Sequence, residues 1–320
     1  MKKATKAWLI AAAALIVTGC ALFAGVMTTI GWNFTKLSTI KYETNVHEVD
    51  RPFSAIAVTT DTADVAFVLS DDGHCRVECR EEENARHTVT VEGDTLTVKR
   101  EDQRPWYDHV GISLGATKVT VYLPKTEYSA LFVFENTGNI DVPQGLTFVD
   151  AEISVTTGDV RFFAAAQEKA KIKTSTGDIR VENISAGSLD LSVTTGKVTL
   201  SGAACTGDVT VGVSTGKAAL TAVSCRDLTS TGATGSLSLD RVTATGRFSI
   251  ERSTGSVKMN GCDAAEISVK TGTGDVTGTL LTDKVFITAT GTGRVDVPST
   301  TTGGRCEIVT GTGDIRIQIG

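Results

Sequence analysis

From Leu131 onward, apolar and polar residues alternate in short bursts, and the bursts recur with a fixed period. Ten Thr-Gly pairs mark it, with glycines at Gly138, Gly158, Gly177, Gly196, Gly216, Gly235, Gly255, Gly274, Gly293 and Gly313, every gap being 19 or 20 residues. The positions seven and five before each glycine, and two and four after it, are mostly apolar. The column two after reads Ile140, Val160, Ile179, Val198, Ala218, Leu237, Val257, Val276, Val295, Ile315. A spacing of two is the strand period, which points alternate side chains to one side. Each repeat therefore reads as two short strands joined at a corner, with glycine supplying the positive φ of the turn. The residue before the glycine is always Thr, from Thr137 to Thr312, and its stacked hydroxyls are expected to link neighbouring tiers.

Periodicity of this length is the mark of a solenoid, in which one repeat buries its apolar face only against the next. The predicted fold is all-β, a parallel β-solenoid (β-helix) of about eleven 19–20-residue rungs. Ile56, Val58, Val65 and Phe67 fall on the same columns and form an earlier rung, with Ala63 in the glycine place. Between it and Leu131 lie strand-like runs at Cys75–Arg80, His87–Glu92, Thr95–Arg100 and Lys118–Leu123, with a hairpin turn at Glu92-Gly93-Asp94. This stretch reads as a small β-sheet that caps the first rungs. The division is 1–35, cytoplasmic stub and anchor; 36–130, first rung and cap; 131–320, solenoid repeats. Glu307–Ile319 forms a last complete rung with no cap after it. Arg316 and Gln318 would blunt its edge, or the bare rung would serve self-association.

The start of the chain follows another pattern. After Lys2, Lys3 and Lys6, residues 7–32 carry no charge, and Trp8 and Trp32 stand near the ends of the run. At about 1.5 Å per helical residue the run is roughly 39 Å long, enough for a ~30 Å hydrocarbon core. The preceding lysines put the N-terminus in the cytoplasm, so the remainder lies outside it. The expectation is a single-pass protein of the bacterial cell membrane with an extracytoplasmic C-terminal domain. Val17-Thr18-Gly19-Cys20 also resembles a lipobox, and a cleaved secretory signal is a third reading.

A net charge of −6 with no basic stripe excludes a nucleic-acid surface. Seven cysteines do not make a disulfide framework; Cys75 and Cys79 share the inward face of one strand, too far apart along it to bridge each other. Cys205 and Cys225 stack on adjacent rungs, as a thiol pair or as a bridge. The histidines, His47, His74, His87 and His109, lie outside the ten-rung array and read as solvated surface residues, with no metal site and no cofactor. Asp159, Asp178, Asp275 and Asp314 share a column with Lys197, Lys217 and Arg294, which reads as a solvated face and not as a calcium ladder. The array has no Trp, Tyr or His after Tyr128, which disfavours a polysaccharide-active enzyme; no catalytic residues are assigned. Arg104-Pro-Trp-Tyr-Asp-His109 is the one aromatic-rich polar segment. Arg104, Trp106, Tyr107 and His109 are the candidate partner-binding residues, because Trp, Tyr and Arg dominate binding hot spots.

The repeated TTGDV, STGDI and TGTGDV rungs behind one apolar segment resemble the bacterial putative-adhesin family of unknown function, over roughly residues 36–320. Its members include envelope-stress-operon membrane proteins of Gram-positive bacteria. The family has no established catalytic residues to carry over. The resemblance implies a membrane-tethered scaffold or protein-binding solenoid at the cell envelope, contacting an envelope protein, or an adhesin for host or cell-wall glycans.

Overall fold

The computed structural model describes residues 3–33, 41–102 and 116–320. It begins with one helix, α1 (Lys3–Thr29), whose Trp8–Thr29 portion is apolar and long enough to cross a membrane, with its side chains exposed save for the buried Met27. Seven strands follow before the repeats: β1 (Tyr42–Val49), β2 (Ala55–Thr59), β3 (Asp64–Leu69), β4 (Cys75–Glu82), β5 (Ala85–Glu92), β6 (Thr95–Asp102) and β7 (Lys118–Leu123). Beyond them the chain is a parallel β-solenoid of about 10 turns.

The two strands of each repeat build two facing walls. One wall stacks the strands before each glycine, such as Thr147–Thr157 between Glu127–Thr137 and Ala165–Thr176, with Ile153 level with Val133 and Ile172. The other stacks the strands after it, with Val160 level with Ile140 and Ile179. The predicted inward columns are the buried ones, and they fill a single continuous core from Ile56 to Ile317. The glycine corner has a steric cause: Gly196 has φ +146°, and a Cβ there would run into the Gly177 carbonyl oxygen of the tier below. A second corner was not legible as a pattern. Six residues after five successive glycines, Asn183, Gly202, Ala222, Arg241 and Gly261 all take left-handed backbone, φ 51–62°.

The threonines before the glycines do not make the expected hydroxyl links; their side chains are exposed. The links come from threonines three before the glycine, which face inward. Thr174 Oγ1 donates to Gly158 O (3.1 Å), Thr271 to Gly255 O (3.3 Å) and Thr310 to Gly274 O (3.0 Å). The Asp column is also more than a solvated face. Asp159 Oδ1 accepts the Asp178 N–H and Asp178 Oδ1 accepts the Lys197 N–H, both at 2.8 Å. A carboxylate oxygen thus carries the hydrogen-bond ladder around the corner, where the turning main chain aims its own carbonyls elsewhere.

The early rung exists as expected: β2 pairs in parallel with Glu127–Thr137, and β3 with Ile140–Val142. Below it β6 and β7 add a further tier on the two walls, paired in parallel with β2 and β3. The cap proper is antiparallel. β5 closes one wall against β6, through the hairpin at Gly93 (φ +61°), while β4 and then β1 close the other against β7.

The far end corrects the sequence reading. The Gly313 rung is not the end of the stack. Gly304–Thr312 pairs on one side with Glu266–Thr273 and on the other with Lys284–Thr292. The stacking order is Gly274, Gly313, Gly293, so the tier left open is the Gly293 rung, and the proposed self-association surface on the C-terminal rung is covered by the chain itself. The side chains explain the order. The Gly313 rung turns Cys306, Ile308, Ile315 and Ile317 inward, all 2 % exposed or less, whereas the Gly293 rung offers Phe286, Thr288 and Thr290. The more apolar tier gains more from two neighbours. The ladder agrees: Asp275 Oδ1 accepts Asp314 N–H and Asp314 Oδ1 accepts Arg294 N–H, and Arg294, having no acceptor to pass on, is last. Pro298 follows in the open tier, and proline is an edge residue because it donates nothing to a further strand.

Candidate functional site

Arg104, Trp106, Tyr107 and His109 belong to the 103–115 connection between β6 and β7, which lies outside the described residues. The described residues direct attention to two other places.

The first is on the wall of the strands preceding the glycines. There the inward columns are broken at three stacked points. Ser230 stands among isoleucines, valines and leucines; Gly232 and Arg252 stand side by side where neighbouring rungs have Val213 and Thr271. The three departures fit one another. The Arg252 side chain folds back over Gly232, where a Cβ would collide with Nη1 and lie 2.9 Å from Cζ. Nη2 donates to Ser230 Oγ at 2.7 Å, and Ser230 Oγ donates onward to Val211 O at 3.3 Å. Arg252 is 5 % exposed, and its Nε is buried with no partner. Burial lowers its pKa from the ordinary arginine value, and among the described residues no carboxylate pairs with it. A guanidinium buried without a counter-charge costs several kcal/mol, and an anion beside it would offset that cost.

A trough of about 750 Å³ runs along this wall and is lined in part by Arg252. Its floor is low at Gly212, which carries no side chain, and Lys270 and Glu251 rise at its side. Ser192, Ser214 and Ser253 add hydroxyls from three tiers. The arrangement can hydrogen-bond and charge-pair with an extended polar chain lying across the rungs.

The second place is the capped end. His87, expected to be a solvated surface histidine, is 4 % exposed and lies between the walls. Position explains it: His87 shares its face of β5 with Val89 and Val91, which pack on the core. Its Nδ1 is 2.7 Å from Glu81 Oε2, and its own N–H also donates to that oxygen. Glu81 is fully buried, and its Oε1 accepts from Asn45 Nδ2 at 2.7 Å. Burial lowers the His87 pKa against the opposing pull of Glu81. Of the others, His74 is exposed, His47 is half-buried and His109 lies outside the described residues.

The cysteines follow the sequence reading. Cys75 and Cys79 face inward with Val77, and Cys205 and Cys225 are free, buried thiols. Burial pushes the Cys79 and Cys225 thiols up to about 12, which makes them poor nucleophiles.

Comparison with known proteins bears on the fold. No curated protein matches the chain. Among solved structures, a Parabacteroides distasonis protein described as a "putative adhesin" is 14 % identical, with a TM-score of 0.45 over 86 % of this chain and 97 % of its own. A Bacteroides fragilis "putative adhesin" is 12 % identical, with a TM-score of 0.41 over 88 % of this chain and 97 % of its own. A Clostridium sporogenes protein described as a "putative cell adhesion protein" is 11 % identical, with a TM-score of 0.25 over 88 % of this chain and 100 % of its own. A family model described as Toastrack DUF4097 matches residues 53–212, from the early rung into the middle of the stack. With half its length matched and the same rungs continuing beyond the match, the chain belongs to the Toastrack DUF4097 family.

Proposed function

We propose that this protein is a membrane-tethered, extracytoplasmic β-solenoid that acts at the cell envelope by binding and not by catalysis. One observation carries the reading. A helix fit to cross a bilayer, about 33 Å long over Trp8–Thr29, precedes a stack whose outer wall holds an uncompensated buried arginine beside an open trough. Hydroxyl and charged groups line that trough over several tiers, spaced about 4.8 Å apart, which suits an extended ligand. Protease treatment of intact cells, with the outer layers permeabilised, tests the topology: the solenoid is expected to be digested while an N-terminal tag stays protected. Protection of the solenoid would reject the tether.

A second reading, an adhesin for glycans, is favoured by Arg252. Carboxylated or phosphate-bearing polymers fit it; neutral ones do not. Binding of the full-length chain in detergent to arrayed acidic and neutral envelope polymers is expected to select the acidic ones, and Arg252→Gln to reduce that binding at least about 10-fold. Equal binding of neutral polymers, or no effect of Arg252→Gln in a folded chain, would reject the glycan reading and leave a protein partner.

A further inference from the structure

The buried polar group at the capped end is independent of the trough and serves no part of the binding reading. Cys79 and Glu81 are successive inward residues of β4, and His87 reaches them from β5 after the short turn at residues 83–84. One ligand atom from each, the thiol sulfur, a carboxylate oxygen and a ring nitrogen, can be chosen so that all lie within 4.8 Å of one another. All three residues are 4 % exposed or less. We propose that Cys79, Glu81 and His87 form a zinc site that clamps β4 to β5, and so joins the two walls at the capped end.

Three observations favour a metal over a plain hydrogen-bonded pair. The first is an orphan: His87 Nε2 is buried without a partner, on a side chain 1 % exposed, and the neighbouring His47 Nε2 is buried and unpartnered as well. A buried imidazole that bonds through one nitrogen leaves the other unused, whereas a metal on one nitrogen and an acceptor on the other would use both. The second is charge. The Glu81 carboxylate lies fully buried beside His87 and Asn45. Zinc with a thiolate, a carboxylate and a neutral imidazole sums to zero, which is the charge an interior tolerates best. The third is donor type. Sulfur, nitrogen and oxygen together suit zinc, which has no geometric preference of its own and binds them at about 2.0–2.3 Å. Closing the present spacing to a tetrahedral one takes shifts of about 1 Å. Three protein ligands leave a fourth position, and His47 stands opposite Val77 on β1, one inward step from Cys79. On binding, Cys79 gives up its proton to solvent and its sulfur bonds the metal; no electrons are transferred.

The site is large in consequence and simple to test. The full-length chain in detergent, stripped with a chelator, is titrated with cobalt(II), and thiolate-to-cobalt absorption is recorded. One equivalent is expected to saturate the band, and zinc to bleach it. Cys79→Ser is expected to abolish it, while Cys306→Ser, at an equally buried thiol outside the cluster, leaves it intact. Glu81→Gln, which keeps shape and removes charge, is expected to weaken zinc at least about 10-fold. A wild-type chain that is folded by circular dichroism and shows no saturable band overturns the proposal. A band that survives Cys79→Ser overturns it too. Should Cys79→Ser fail to fold, an unchanged affinity in Glu81→Gln overturns it instead.

Discussion

At one end of this stack three strands in antiparallel pairings close the core; at the other the chain's own repeats close it, taken out of sequence. β1, β4 and β5 bring new residue types with them, among them the buried Glu81 and His87. The Gly293 rung brings only a weaker version of the common pattern, with Thr288 where Ile308 stands in its neighbour. A solenoid can therefore be ended by adding a foreign sheet or by sorting its own tiers according to how much they lose when half-covered. The first route builds a polar interior that can acquire chemistry; the second builds only a boundary.

The largest expected effect breaks the comparison at the sorted end. Ile308 is fully buried and Thr288 half-buried. Ile308→Ala should cost about 2–5 kcal/mol and Thr288→Ala less than about 1 kcal/mol, measured by chemical denaturation. Equal costs would argue that the two rungs stack in chain order after all.

Next comes a pH effect near the capped end. Glu135 occupies the inward column filled by Thr310 at the other end, and burial raises its pKa from 4.5 to about 7. The folded state then holds a proton that the unfolded state releases, so this group's contribution to stability is greatest below pH 4.5 and falls as pH rises to about 7. The loss is on the order of 3 kcal/mol. Glu135→Gln should flatten the profile in thermal melts between those limits, and an unchanged slope would place the titration elsewhere.

A smaller effect lies between the ends. Ala222 holds a left-handed corner at φ 51°, and Ala222→Gly should stabilise by about 0.5–1 kcal/mol by relieving that strain. Smallest and most local is the carboxylate ladder. Asp314→Ala should speed hydrogen exchange at the Arg294 amide, and Asp314→Asn, which keeps an acceptor, should not.

Most of the architecture could be read from the chain because a solenoid writes the same instruction many times. Two apolar columns on either side of a glycine leave little choice of fold, and the early rung at Ile56–Phe67 followed from them. What escaped were properties that no single rung displays. The stacking order of the last tiers depends on comparing Thr288 with Ile308 and Arg294 with Asp314, residues that satisfy the pattern equally well when read alone. The same holds for Ser230, Gly232 and Arg252. Each is a minor exception, and only their stacking makes them one site. His87 was misread because strand β5 alternates weakly; Val89 and Val91 on its face were the signal that it points inward.

The out-of-order tiers also set the timetable of assembly. A chain leaving the ribosome or translocon offers the Gly293 coil some twenty residues before the Gly313 coil whose upper surface it must rest upon. Until Gly320 has emerged, Lys284–Asp296 has no correct seat, and the bare top of the Gly274 coil must be kept vacant for a late arrival. Completion of this stack thus waits for Gly304–Ile319, and a nascent chain stalled short of those strands would be held in a form distinct from the finished one.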